Sequence, residues 1–167
     1  MNALLKKLIV TFRPLSEADL ETILNIEKAS YDFPWTLDIL QDCLQSYDYC
    51  WVMLQNNQIC GYGIMSITAY KAHLLNLCIQ PNLRNNGLGM QMLTHLTKLA
   101  ITHHAEVIFL EVRPSNQNAL AIYEKSGFSI IGSRKDYYPT ASGHEDALVF
   151  AKNLINVDSN IAQKNII

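Results

Sequence analysis

The chain predicts a single α/β domain with a mixed central sheet and the element order β-α-α-β-β-β-α-β-α-β-β. Three observations predict it. Residues 74–79 form an apolar, strand-like run that leads through a glycine-containing turn to apolar residues at helical spacing: Leu88, Met92, Leu93, Leu96, Leu99 and Ala100. A second continuous apolar strand, Val107–Val112, interrupted only by Glu111, follows that helix, and this strand–helix–strand unit is expected to be parallel. Residues 49–54 and 59–67 are two further strands, joined by the polar turn Gln55-Asn56-Asn57-Gln58.

The remaining elements follow from local chemistry. Residues 8–12 read as the first strand. Ser16-Glu17-Ala18-Asp19 resembles a capping box, with Asp in place of Glu or Gln. It opens a helix carrying Leu20, Ile23, Leu24, Ile26 and Glu27 toward Ala29. Phe33-Pro34-Trp35 breaks that helix, because proline cannot continue it. Thr36 then caps a shorter helix through Leu37, Leu40, Cys43 and Leu44. The long helix from Leu88 is expected to end near His103. Asn116 caps another, with Ala119, Leu120, Ile122 and Tyr123, and Gly127 stops it as a C-cap glycine. Two last strands, residues 129–137 and 146–152, flank a loop holding Pro139, Ser142 and Gly143. The domain is expected to span residues 1–154, with 155–167 a mobile tail.

Composition limits what the chain can be. At 167 residues it can bury a full core. Hydrophobic residues at 49% and charged residues at 17% argue for a globular protein and against disorder. A formal net charge of −2 gives no drive toward bulk nucleic acid, so no direct nucleic-acid partner is expected. No apolar run reaches the length of a membrane span, and Met1 to Leu8 is too short and interrupted for a signal peptide. A cytoplasmic monomer with no membrane partner is therefore expected. Cys43, Cys50, Cys60 and Cys78 lie in apolar surroundings without Cys-x-x-Cys spacing and read as reduced core residues. No metal is expected: His103 and His104 are adjacent and point apart on a helix, with no Cys or carboxylate cluster beside them.

The turn Arg84-Asn85-Asn86-Gly87-Leu88-Gly89 carries the first chemical signal. A strand, a glycine turn and a helix N-terminus make an anion site, because the first helical N–H groups lack internal partners and the macrodipole adds positive charge. Gly87 and Gly89 have no Cβ, so a phosphate could approach the backbone closely. A tight turn capped by asparagines explains the same residues without a ligand. The turn is not a dinucleotide fingerprint, which needs glycine where Met92 stands, nor a Walker loop, which needs Gly-Lys-Ser/Thr.

Several blocks together resemble the GNAT superfamily of N-acetyltransferases. Arg84-x-x-Gly87-x-Gly89 fits its loop for the pyrophosphate of coenzyme A, and the element order matches along nearly the whole domain. Four further blocks resemble the protein N-terminal acetyltransferases within it, in particular bacterial ones that acetylate the N-terminal alanine of a small-subunit ribosomal protein. These blocks are Phe33-Pro34-Trp35-Thr36; residues 110–116; residues 121–128; and Tyr137-Tyr138-Pro139 with Gly143, Glu145, Asp146 and Ala147. The resemblance implies acetyl-CoA as acetyl donor and a ribosomal protein N-terminus as partner. It implies that the cofactor side is built by Leu77, Cys78 and Ile79, by Arg84, Asn85, Asn86, Gly87, Leu88, Gly89 and Met90, and by Asn116. Glu111 looks like the general base and Tyr123 like the general acid. Phe33, Trp35, Tyr137, Tyr138, Glu145 and Asp146 look like the substrate side. Asn85 and Asn86 depart from the Arg or Gln common in relatives, and Cys78 from a smaller residue.

Without the resemblance the same residues have plainer readings. A strand carboxylate such as Glu111 is usually solvated or paired with an arginine. Tyr123 could be a core aromatic, Asn116 only an N-cap, Tyr137 and Tyr138 strand residues, and Glu145 and Asp146 a solvated strand start. Two other functions use the same fold: an acetyltransferase for a small amine such as a polyamine, and a non-catalytic acyl-CoA-binding regulator. Asp32, Asp38, Glu145 and Asp146 flank the expected acceptor segments and would attract a cationic peptide.

Overall fold

The computed structural model describes residues 9–46 and 49–155. A seven-stranded sheet runs through it in the order β1-β2-β3-β4-β5-β7-β6. The strands are β1 (Val10–Pro14), β2 (Tyr49–Gln55), β3 (Gln58–Thr68), β4 (Lys71–Ile79), β5 (Val107–Val112), β6 (Ser129–Thr140) and β7 (Gly143–Asn153). The helices are α1 (Leu20–Ser30), α2 (Leu37–Gln45), α3 (Leu88–Thr102) and α4 (Gln117–Lys125). Among the described residues only β4 and β5 pair in parallel, so the sheet is mixed as the pattern predicts.

The local signals act where the sequence places them. Ser16 N–H and Oγ both donate to the Asp19 carboxylate at 2.9 Å, and a 3-10 turn, Glu17–Asp19, leads into α1. Thr36 Oγ1 accepts from Ile39 N–H at 3.4 Å at the start of α2. Asn116 Oδ1 accepts from Ala119 N–H at 3.2 Å and opens α4. Gly127, at φ +85, ends it with a Phe128 N–H bond to Tyr123 O of 3.0 Å. Asn56 and Asn57 turn the β2–β3 hairpin at φ 51 and 62, values that asparagine tolerates better than most residues.

Three strand boundaries differ from the sequence reading. β1 runs later, to Pro14, and Leu8 lies outside the described residues. β4 begins at Lys71, not at residue 74, because Lys71 to Leu74 pair with both β3 and β5 although His73 breaks the apolar run. The loop expected between the last strands shrinks to Ala141-Ser142, since β6 and β7 pair out to Thr140 and Gly143. Residues 156–167, most of the expected tail, lie outside the described residues.

Two apolar layers cover the two faces of the sheet. On one face, Leu88, Met92, Leu93, Leu96 and Ala100 of α3 and Tyr123 of α4 pack on Met53, Leu74, Ile108, Leu110 and Phe150. On the other, Leu20, Ile23 and Ile26 of α1 and Leu40 of α2 pack on Val52, Tyr62, Ile64 and Cys78. Each fully buried side chain of this size contributes roughly 1.5–3 kcal/mol. Cys43, Cys50, Cys60 and Cys78 are all buried, as expected of core residues.

Candidate active site

The site begins where β4 and β5 part. Their parallel ladder ends at Leu74 opposite Leu110, while β4 continues to Ile79 and β5 to Val112. A bulge at Leu75, between the Ile64–Asn76 and Met65–Leu74 pairs, turns β4 at that point. Beyond it, the β5-facing edge of β4 has no strand partner. Leu77, Cys78 and Ile79 lie on this free edge. Leu77 and Ile79 pack toward the α3 face. The Cys78 side chain turns to the α1 face, where Sγ meets Ser30 Oγ at 3.2 Å, so only its backbone is available to a ligand in the gap.

The glycine turn stands at the end of β4. Gly87 has φ +76, a left-handed conformation, and a Cβ built on it would meet nothing within 4 Å. The first α3 residue to bond within the helix is Gln91, to Gly87 O at 3.2 Å, so the amides of Leu88, Gly89 and Met90 lack helical acceptors. Open space over free N–H groups fits a pyrophosphate. Arg84 Nε binds Ile79 O at 3.0 Å, and Asn86 Nδ2 binds Leu83 O and Arg84 O at 3.1 and 3.2 Å. With Asn85 at φ 62, these bonds fix the turn from inside. Gly89 has a different role from Gly87. Its Cβ would lie 3.0 Å from Ile122 Cδ1, so it lets α3 approach α4.

Glu111 and Tyr123 lie on opposite faces of the sheet at this gap. Ile108, Leu110 and Val112 of β5 enter the α3 core, which turns Phe109, Glu111 and Arg113 to the other face. The Glu111 side chain is 6% exposed. Its Oε2 is 2.5 Å from His73 Nε2, and its Oε1 accepts from Arg134 Nε at 3.0 Å. The plain expectation of an arginine partner is therefore met, and a histidine is added. Tyr123 is buried, in tilted contact with Phe128 and Phe150 at 5.7 and 6.2 Å. Burial pushes its hydroxyl up to about 12.

Tyr138 stands between these two candidates. Its hydroxyl is raised well above the usual tyrosine value, chiefly by burial and then by the nearby Tyr137, Glu111 and Tyr123. The Arg113 guanidinium lies 4.4 Å over its ring. Tyr137 stands edge-on to it at 4.8 Å and is 47% exposed. The register of β6 against β7 slips between Arg134, opposite Ala147, and Tyr138, opposite Glu145.

The acceptor-side carboxylates are not all available. Glu145 binds Arg113 Nη1 at 3.0 Å and Ser115 Oγ at 2.9 Å, and Arg113 holds its carboxyl below the usual range. Asp146 accepts from Asp136 N–H at 2.9 Å. Arg113, just after β5, thus offsets the charge of Glu145, whereas the backbone N–H on Asp146 leaves that carboxylate's charge in place. Asp32 and Asp38 are exposed and keep the expected pull on a cationic peptide.

The turn between α1 and α2 is fixed by a residue outside the expected set. Glu27 is 1% exposed and accepts from Trp35 N–H at 3.0 Å, from the Tyr62 hydroxyl and from Asn76 Nδ2 at 3.4 Å. Trp35 is thereby pinned beside the sheet, while Phe33 is 48% exposed. The sequence reading missed His73, Arg134, Glu27, Tyr62 and Asn76. Alternation along a longer β4 would have placed His73 on the Glu111 face. The Glu27 cluster joins three elements distant in sequence. Among the described residues no group of three or more His, Cys, Asp or Glu side chains could hold a metal ion.

β4 and β5 thus part beside a helix N-terminus whose first amides lack helical acceptors, with Glu111 and Tyr123 on opposite faces of the sheet. The chain belongs to the acetyltransferase (GNAT) family, whose model matches residues 18–128. It is an acyltransferase with acetyl-CoA as acetyl donor. It is 33% identical over 141 residues to the ribosomal protein bS18-alanine N-acetyltransferase of Salmonella typhimurium strain LT2, covering 84% of this chain and 95% of that one. The corresponding Escherichia coli K12 protein is 31% identical over the same length. The crystal structure of the ribosomal-protein-S18-alanine N-acetyltransferase from Escherichia coli superposes with a TM-score of 0.83 at 30% identity, covering 89% of this chain and 96% of that one. Ard1 from Thermoplasma volcanium shares the fold at a TM-score of 0.80 and 22% identity, covering 88% of this chain and 99% of that one.

Proposed function

We propose that the chain acetylates the N-terminal alanine of a small-subunit ribosomal protein, with Glu111 as general base and Tyr123 as the group that meets the leaving sulfur. The observation that carries this reading is the placement of these two side chains on opposite faces of one strand gap. The similarity to proteins named bS18-alanine N-acetyltransferases supports the substrate. The cytoplasm is the place of action, where acetyl-CoA and ribosomal proteins meet. The enzyme acts as a monomer without touching nucleic acid, in keeping with its net charge of −2.

The α-amine nitrogen attacks the thioester carbonyl, the new N–C bond forms, and the C–S bond breaks. Glu111 takes the amine proton, directly or through water. An α-amine has a pKa of about 7.7–8.0 and a lysine about 10.4, so at neutral pH the terminus is the easier nucleophile by roughly 3 kcal/mol. A thiolate leaves with a pKa of about 8.5. Full transfer from Tyr123, held near 12, is uphill by roughly 5 kcal/mol. Tyr123 therefore acts by donating a hydrogen bond to the developing sulfur anion. Phe33, Trp35, Tyr137 and Tyr138 bound the acceptor slot, and Leu77 to Ile79, residues 84–90 and Asn116 hold the donor.

The test is a competition, read by mass spectrometry, among a peptide beginning Ala-Arg, the same peptide with a blocked α-amine and one free lysine, and spermidine. Preferential acetylation of the first is expected. Preference for spermidine or for the lysine would keep the fold and overturn the substrate class.

A further inference from the structure

We propose that His73 acts through Glu111 as the group that carries the amine's proton to solvent, a role that rests on Glu111 being the base. Glu111 is 6% exposed, so a proton taken there has no direct path to bulk water. His73 Nε2 touches Glu111 Oε2, and the His73 side chain is 26% exposed, so the imidazole spans from the carboxylate to solvent. Its ring stacks on Phe109 at 4.3 Å and 20°, which fixes its edge toward the carboxylate.

The other partner of Glu111 explains why a histidine is useful here. Arg134 is permanently charged and already binds Oε1 at 3.0 Å. Glu111 needs no second cation to be balanced. A neutral imidazole protonated at Nδ1 leaves its Nε2 lone pair facing Oε2, where it can accept the proton that Glu111 takes from the amine. The groups that face His73 are Glu111 of β5 and, across that carboxylate, Arg134 and Tyr138 of β6. Lys71 lies two residues earlier on its own strand and is exposed. The steps balance without any co-reactant. The ammonium N–H bond breaks and Glu111 becomes a carboxylic acid. That acid returns to carboxylate as the proton passes to Nε2. The imidazolium then loses a proton to water from its other nitrogen, and exchange with water restores the starting tautomer.

The experiment compares wild type, His73→Gln, His73→Ala and Glu111→Gln in pH–rate profiles from pH 6 to 9, with acetyl-CoA affinity and melting temperature measured for each. His73→Gln keeps a hydrogen-bonding edge but cannot relay a proton. Its kcat is expected to fall about tenfold or more at pH 6.5 and to approach wild type at pH 9, where the amine is already neutral, with acetyl-CoA affinity unchanged. Imidazole added to His73→Ala is expected to restore turnover. A His73→Gln profile parallel to wild type, or a pH-independent loss that imidazole does not relieve, overturns the proposal. Full activity in Glu111→Gln would instead show that the base assignment has failed. A loss in Glu111→Gln alongside an unaffected His73→Gln would remove only the role of His73.

Discussion

The two proposed catalytic residues have opposite surroundings. Tyr123 lies in an apolar cluster that disfavours its phenolate, while Glu111 sits among one guanidinium and one imidazole. Tyr123→Phe keeps the ring packing against Phe128 and Phe150 and removes only the donor. Steady-state kinetics should show kcat lower by about 10²-fold, with KM for acetyl-CoA and the melting temperature nearly unchanged. Unaltered turnover would leave Tyr123 a core aromatic. Gly87 gives a matching test on the donor side. Its left-handed φ of +76 makes any side chain cost about 1 kcal/mol, but the space around it is open, so variants should fold. Gly87→Ala should reduce acetyl-CoA affinity modestly. Gly87→Glu, which brings bulk and like charge to the phosphate path, should abolish most of it by calorimetry.

At the scale of elements, the joint between α1 and α2 is held by one buried carboxylate with three donors. Glu27→Ala would leave the Trp35 N–H and the Tyr62 hydroxyl without their acceptor. Each buried group so orphaned costs about 1–3 kcal/mol. Denaturant unfolding should show a loss of roughly 2–4 kcal/mol, and the surviving folded enzyme should have a raised peptide KM with acetyl-CoA affinity intact. A stability loss with no change in peptide KM would separate the joint from acceptor binding. This joint also marks where the sequence ceases to be legible. The elements could be read because each has local signals: Thr36 and Asn116 as caps, Gly127 as a stop, and apolar spacing between them. Glu111, Tyr123 and the glycine turn stand out within those elements. Glu27 sits on the buried stripe of α1, but its partners come from β3, β4 and the turn after α1. His73 was hidden for a related reason. One polar residue shortens the apparent strand, and only the pairing of β4 with its neighbours restores it.

The whole molecule should answer acid in two steps set by groups far from the gap. His95 of α3 lies flat on Phe12 at 4.1 Å and against Trp51 at 4.6 Å, and its buried Nε2 has no hydrogen-bond partner among the described residues. Burial, and then the charge of Lys98, lower its proton affinity below the ordinary 6.5. The unfolded chain therefore takes this proton first. The stability His95 contributes is complete above about pH 6.5 and is lost as pH falls through the lowered folded value. Asp19 works lower on the scale. Arg13 Nη1 lies 2.7 Å from its carboxylate, and with the Ser16 bonds this brings Asp19 from 3.8 to about 2. Its contribution is present above pH 3.8 and disappears between there and about 2. Because Arg13 is 43% exposed, solvent screens the pair, and roughly 1 kcal/mol is a fair magnitude. Chemical denaturation from pH 8 to 2 should show one decline below 6.5 and another below 4. Replacing His95 with Leu should flatten the first, and Asp19→Asn the second while lowering stability at pH 7. A His95→Leu curve that keeps the upper step would show that His95 is not its origin.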